Sequence, residues 1–410
     1  MRAQCARLGR FLRRRPSERR LNWCATWPAR EKSAPTVDRL LPLMRSGSPL
    51  LRWECVWALG EIGDHRAVEP LIEALQDTDS SVSEGAALAL SKLGSLAVDG
   101  LIEALPSADP EVRLAVVWVL GVVRDQRAAS YLAPLLGSAD AAMRAAAATA
   151  LGRLRAPSAV PLLVDLLRDQ DEEVRGAAAN ALGLVADARA IGPLLELMRS
   201  GGEAATEAAL AVAAMGPPAV APLMALLTDP DDDVGDAAAG ALAAICEPAA
   251  EPLLALMRDT EGDDRARWRA AWALSMMGPA VVDALMALLG HEAPCVRGRA
   301  VRALSGAGVP RALDAVLPLL GDQDERVRCS AAASIGRMGC SRGVAPLLAA
   351  LAEATGDFRA AVVAALGHLD DRQIAGRLRP LLVDAEEPVR EAAREALAAI
   401  ANRRPRRGGR

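Results

Sequence analysis

The sequence predicts an all-α fold, a right-handed α-α superhelix (an α-solenoid) of about twelve stacked helix pairs. Three observations carry that prediction. A short pattern ending in an Arg slot recurs at 52, 83, 113, 144, 175, 205, 235, 267, 297, 328, 359 and 390, and every spacing is 30, 31 or 32 residues. The apolar residues around each slot follow a helical period and not a strand period. The chain is 52% hydrophobic over 410 residues yet holds only ten aromatics, so small and aliphatic side chains must fill its core.

The second helix of each pair is the clearest element. Asp109-Pro-Glu-Val-Arg113, Asp171-Glu-Glu-Val-Arg175, Asp324-Glu-Arg-Val-Arg328 and Glu386-Glu-Pro-Val-Arg390 align on the slot, called r below. Arg fills nine of the twelve slots; Ser83, Ala205 and Gly235 are the exceptions. Apolar residues fall at r−1, r+3, r+6, r+7 and r+10, as in Val174, Ala178, Ala181, Leu182 and Val185, which places them on one helical face. Asp followed by Pro marks the start in Asp109-Pro110. Gly at r+11 marks the end in six units, namely Gly63, Gly94, Gly216, Gly278, Gly308 and Gly339, where a left-handed residue costs least. The first helix of each pair carries a Pro near its start and Leu-Leu or Leu-Ile next, as in Pro161–Arg168, Pro193–Met198 and Pro346–Leu351. The first such helix spans about 36–46 and the last about 372–383. A lone pair cannot bury its apolar face, whereas stacked pairs can.

The net charge of −4 is a sum of unlike parts. Residues 1–33 carry +8 and residues 401–410 carry +5, which leaves −17 on 34–400. This divides the chain into a basic N-terminal arm (1–33), a repeat solenoid (34–400) and a basic C-terminal tail (401–410), with solvated tails the expected state of both ends. Disorder of the whole is excluded by its hydrophobicity. No stretch of 18 uncharged apolar residues stands out, so no membrane span is expected. Seven scattered Cys without a C-x-x-C pair fit free thiols and a cytoplasmic setting. An acidic body makes nucleic acid an unexpected partner, except through the basic ends.

Leu59-Gly-Glu-Ile-Gly-Asp-His-Arg-Ala-Val-Glu-Pro-Leu-Ile-Glu-Ala-Leu75 and its counterparts resemble the HEAT repeat, and most nearly the short HEAT-like repeat named after phycobilisome lyases. The likeness runs over about nine-tenths of the chain. It implies an α-solenoid whose second helices line a concave side. It also implies a structural ladder between the repeated Arg (Arg52, Arg113, Arg144, Arg175, Arg267, Arg297, Arg328, Arg359 and Arg390) and a turn Asp, for which Asp64, Asp125, Asp187 and Asp371 at r+12 are candidates. Acidic residues at r−4, such as Asp109 and Asp140, are further pairing candidates. Slots holding Ser, Ala or Gly would break the ladder, so a change of curvature or a compliant hinge is expected within 200–280.

Catalytic constellations are scarce. His65, His291 and His368 are isolated, and His291-Glu292 is a single pair where a HEAT-like iron hydroxylase would carry several. No phosphate loop or nucleophile elbow occurs. No cofactor and no metal site are expected. The Trp pattern says more. Trp53 and Trp268 stand at r+1, and Trp57, Trp118 and Trp272 at r+5, roughly 145–175° from the centre of the apolar face. Asn180 and Arg302 share the r+5 row. Position r+8 is always Gly, Ser or Ala, which would leave an open trough beside the rings. Two readings of the Trp follow: contact with a protein or peptide partner in the concave groove, or burial between neighbouring second helices. The expected function is a non-enzymatic interaction scaffold. The alternative implied by the family name is handling of a linear tetrapyrrole, as a phycobilin lyase does.

Overall fold

A computed structural model describes residues 34–107, 109–369 and 372–402. Asp371 and both basic ends, apart from Ala401 and Asn402, lie outside these residues. The chain divides into two compact units at the Met215–Gly216 junction, inside the stretch where the repeat departs from its pattern.

In the first unit the slot-bearing helices are α1 (Pro49–Ile62), α2 (Ser80–Leu93), α3 (Pro110–Val123), α4 (Ala141–Leu154), α5 (Glu172–Val185) and α6 (Glu203–Ala214). In the second they are α7 (Asp232–Ile245), α8 (Asp264–Met276), α9 (Pro294–Gly306), α10 (Glu325–Met338), α11 (Gly356–His368) and α12 (Glu387–Asn402). Shorter first helices precede them, such as Val68–Glu73, Val160–Asp165 and Val344–Glu353, and several open or close in a 3-10 turn. No strand occurs among the described residues. Within each unit the molecule is an α-solenoid of helix pairs.

The r+3 and r+7 positions form the core: Cys55, Leu59, Ala178, Leu182, Ala331 and Ile335 are all buried. Burial also pushes the Cys55 thiol up to about 11. The r+10 residues Ile62 and Val185 are only half-buried. All six r+11 glycines have positive φ, and where Gly is missing the chain is left-handed all the same, at Arg124, Arg155, Ala186 and Cys246. The bend between second and first helix is therefore set by the repeat and only eased by Gly.

The small residue at r+8 has a different reason from the one its sequence suggests. A Cβ on Gly60, Gly121, Gly152 or Gly183 would lie 2.5–2.9 Å from the Ala at r+6 of the next second helix, in contact with its backbone. Gly336 and Gly367 do the same in the second unit. Position r+8 is thus the close crossing of successive second helices, not the floor of an open trough.

By length and mean hydropathy alone, Ser80–Ala104 is apolar enough to cross a membrane. Half of it is buried within the repeats, and Gly94 at φ 61° splits it into α2 and the helix Val98–Ala104.

Candidate functional site

The slot Arg form a ladder, but with other acids than those at r+12 or r−4. Arg52, Arg144, Arg297 and Arg359 each grip an Asp 25 residues on, at Asp77, Asp169, Asp322 and Asp384, with Nε and Nη2 both donating at 2.6–3.2 Å. That Asp is the r−6 residue of the following repeat. Its carboxylate also accepts the backbone N–H two residues later. Its carbonyl in turn accepts from the next slot: Arg175 donates to Asp169, Arg328 to Asp322 and Arg390 to Asp384, at 2.6–3.0 Å. One Asp therefore ties three consecutive segments. The Arg52, Arg144 and Arg297 guanidinium groups chiefly hold Asp77, Asp169 and Asp322 below the usual carboxylate range, and the Glu386 N–H, with Arg359 after it, does so for Asp384.

The r+12 acids do something else. Asp64, Asp125 and Asp187 cap the turn that opens the next first helix and pair with the Arg two residues on, Arg66, Arg127 and Arg189. That guanidinium and the backbone N–H hold Asp64 and Asp187 down to about 2. The r−4 acids Asp109, Asp140, Asp171, Asp263 and Asp324 are helix N-caps, accepting the N–H of r−2. Spacing does not separate these acids, because most repeats carry Asp at r−6, r−4 or r+12 and the one that closes a slot Arg belongs to the following repeat.

These lowered values fix an acid response. A carboxyl whose folded pKa lies below its unfolded value near 3.8 stabilises the fold above that value, and loses this contribution as pH falls toward the folded value. Helical circular dichroism is expected to hold down to about pH 4 and the unfolding midpoint to drop steadily between about pH 4 and 2. A flat midpoint over that window would contradict the pairing of these turn carboxylates with Arg66 and Arg189.

Among the Arg slots without that closing Asp, two leave a buried donor bare. Opposite Arg113 stands Ser138, and opposite Arg267 stands His291; in both Arg the Nε is buried without a hydrogen-bond partner. Ser138 has backbone angles of −61° and 143°, against −60° and 147° at Asp169, and its hydroxyl accepts the Asp140 N–H as the Asp carboxylates do. Ser138→Asp is expected to close the Arg113 rung and add about 1 kcal/mol, read as a higher midpoint in urea. His291 uses Nδ1 in the same way, accepting from the Ala293 N–H at 3.1 Å, so its place in the repeat is that of a turn residue.

The slots without Arg do not all interrupt the ladder. At Gly235 the space of the missing side chain is filled by Arg269, from r+2 of the next helix. A Cβ on Gly235 would overlap the Arg269 guanidinium, 2.1 Å from Cζ. Arg269 is 1% exposed and donates to the carbonyls of Leu227 and Asp229 and to the carboxylates of Asp232 and Asp236. Asp229 is the same r−6 carbonyl that a slot Arg would have reached. Arg299 repeats the arrangement one unit on, toward Met257 and Asp259.

The five Trp separate into two groups. In the first unit Trp53 and Trp57 stack at 6.0 Å and 16°, Lys92 lies 3.7 Å over the Trp57 ring, and Gly85 of α2 lies against Trp53. Trp53, Trp57 and Trp118 are half-buried. In the second unit Trp268 and Trp272, one turn apart on α8, are 45% and 36% exposed. They wall a groove of about 360 Å³ that runs over α8, α9 and α10. Arg302 and Arg337 enter it, with Ser275, Ser305 and Ser330 beside them. Arg337 donates to the hydroxyls of Ser305 and Ser334 at 3.0 and 2.9 Å. Desolvation and the neighbouring Arg302 charge push its guanidinium below the ordinary range. Asn180 is exposed in the other unit, in a shallow groove with Asp171, Glu173, Glu203 and Glu207. The r+5 row therefore does not gather into one site: Trp272 and Arg302 share a groove, and Asn180 stands apart. Sequence position did not indicate Arg337, since r+9 lies off the rows that carry Trp. Among the described residues no three His, Cys, Asp or Glu side chains converge as metal ligands would.

Models of HEAT repeats match residues 37–99, 98–183, 132–211, 202–275 and 282–362, and the model of the PBS lyase HEAT-like repeat matches 266–291. The chain belongs to the HEAT repeat family. No curated protein matches this HEAT-repeat chain. Among solved structures it is similar to Kap121p, at 16% identity and TM-score 0.44 over 90% of this chain and 49% of that one. The complex of Kap121p with the SUMO protease Ulp1p gives 16% identity and TM-score 0.46 over the same shares. An engineered protein gives 24% and 0.31 over 89% of this chain and 98% of that one. The HEAT-repeat chain spans about half the length of the Kap121p chains it matches.

Proposed function

We propose that this HEAT-repeat protein is a non-enzymatic scaffold that holds a protein or peptide partner against the r+1 and r+5 face of its second helices. Trp268 and Trp272 are the principal anchors, with Arg302 as a polar contact. Trp53, Trp57 and Trp118 offer smaller ring edges in the first unit, and Asn180 a further polar contact there. The observation that carries the reading is the exposure of two adjacent Trp rings beside a groove, in a chain with only ten aromatics. Exposed large aromatics are costly in water and recur as anchors of interfaces. A repeat fold supplies the extended surface on which such anchors act.

The test is a Trp268→Ala/Trp272→Ala double variant of the full chain, compared with the parent in quantitative affinity capture from its native host. Loss of an anchor of this kind costs on the order of 2 kcal/mol or more, so the specific partner is expected to fall about thirtyfold in yield. Unchanged recovery by a variant with unchanged helical content and unfolding midpoint would overturn the proposal.

A further inference from the structure

The groove beside Trp268 and Trp272 has an electrostatic character of its own. The ladder guanidinium groups at Arg52, Arg144, Arg297 and Arg359 are each closed by a carboxylate, and Arg269 by two. In the groove, Arg302 has no carboxylate partner among the described residues, and Arg337 donates to two hydroxyls. No Asp or Glu lines it. Both cations line the groove together with the Trp268 and Trp272 rings, and the Arg302 charge acts on Arg337, a repulsion that a bound anion would relieve.

We propose that this groove takes an acidic peptide segment, with its Asp or Glu carboxylates on Arg302 and Arg337 and an apolar side chain between Trp268 and Trp272. Indole and guanidinium together could also stack a base and hold a phosphate. Two cations can neutralise at most two phosphates, however, and they sit in a body carrying −17, whose field repels a polyanion. A short peptide with one or two carboxylates avoids that repulsion and uses both the aromatic walls and the forked donors. The inference rests on the partner-binding reading above and adds the charge of the partner.

The test is fluorescence anisotropy of the full chain with a fluorescein-labelled, C-terminally amidated tetrapeptide of alternating Glu and Leu, which carries two side-chain carboxylates. A Lys–Leu twin, a phosphoserine–Leu twin and a labelled oligothymidylate are the other probes. The Glu–Leu peptide is expected to bind about tenfold or more tightly than the Lys–Leu twin, with an affinity that falls as salt rises. Arg302→Ala is expected to weaken it about fivefold without moving the unfolding midpoint, and Trp272→Ala to weaken both peptides. Equal binding of the Glu and Lys peptides, no effect of Arg302→Ala, or tighter binding of the phosphopeptide or the oligonucleotide would each overturn the inference. If charge proves irrelevant while the Trp double variant still loses its native partner, the scaffold reading stands and only the acidic assignment falls. If the Trp variants change neither measurement, both fall.

Discussion

Arg269→Ala is expected to destabilise the second unit by about 2–4 kcal/mol, read as a lower urea midpoint by helical circular dichroism and faster hydrogen exchange in α7 and α8. The side chain is buried and fills the space left by Gly235. It satisfies the carbonyls of Leu227 and Asp229 and pairs with Asp232 and Asp236. Its loss removes every one of these donors at once and opens a cavity that the flanking helix backbones cannot readily close. Arg269→Lys keeps the charge but not the planar fork, and is expected to recover only part of the loss. Arg302→Ala on the neighbouring helix, with an exposed side chain, is the control and should stay within about 0.5 kcal/mol. A mild Arg269→Ala variant would mean that the Gly235 slot is simply vacant.

Gly152→Ala and Gly240→Ala are expected to change stability in opposite directions. Both glycines lie within second helices, α4 and α7, where Ala is intrinsically favoured by roughly 1 kcal/mol. At Gly240 the added Cβ meets nothing within 4 Å, so that gain is expected in full. At Gly152 it would lie 2.5 Å from the Cα of Ala181. The obstacle is backbone, which has no rotamer to change, so α4 and α5 must move apart. Overpacking of this kind costs about 1–3 kcal/mol, and here the upper end is expected. Urea midpoints measured side by side decide the matter, and a stabilising Gly152→Ala would refute the close crossing.

These two positions show where sequence reasoning succeeds and where it stops. The slot, the core face and the r+11 bend are local, set by residues within one helix, and the periodicity displays them directly. The Asp that closes Arg52, Arg144, Arg297 or Arg359 belongs to the following repeat, 25 residues on, and a search near the slot meets the capping acids first. Arg269 at r+2 carries no repeat signal until Gly235 is seen to need it. Gly at r+8 is visible as a rule, but its cause belongs to the adjacent repeat. The helical wheel places all five Trp away from the core. Lys92 and Gly85, which half-cover Trp57 and Trp53, come from the next second helix and are invisible to a single wheel, whereas Trp268 and Trp272 stay open. Nor does the wheel place Arg337 beside them.

The central claim is that the exposed Trp268–Trp272 pair is the contact surface for a partner. Hydroxyl-radical footprinting of the full chain, read residue by residue with and without the captured partner, tests it directly. In the free chain Trp268 and Trp272 are expected to oxidise faster than Trp53, Trp57 and Trp118, and addition of the partner is expected to protect them and Arg302's helix. Unchanged oxidation of Trp268 and Trp272 in a saturated complex would contradict it.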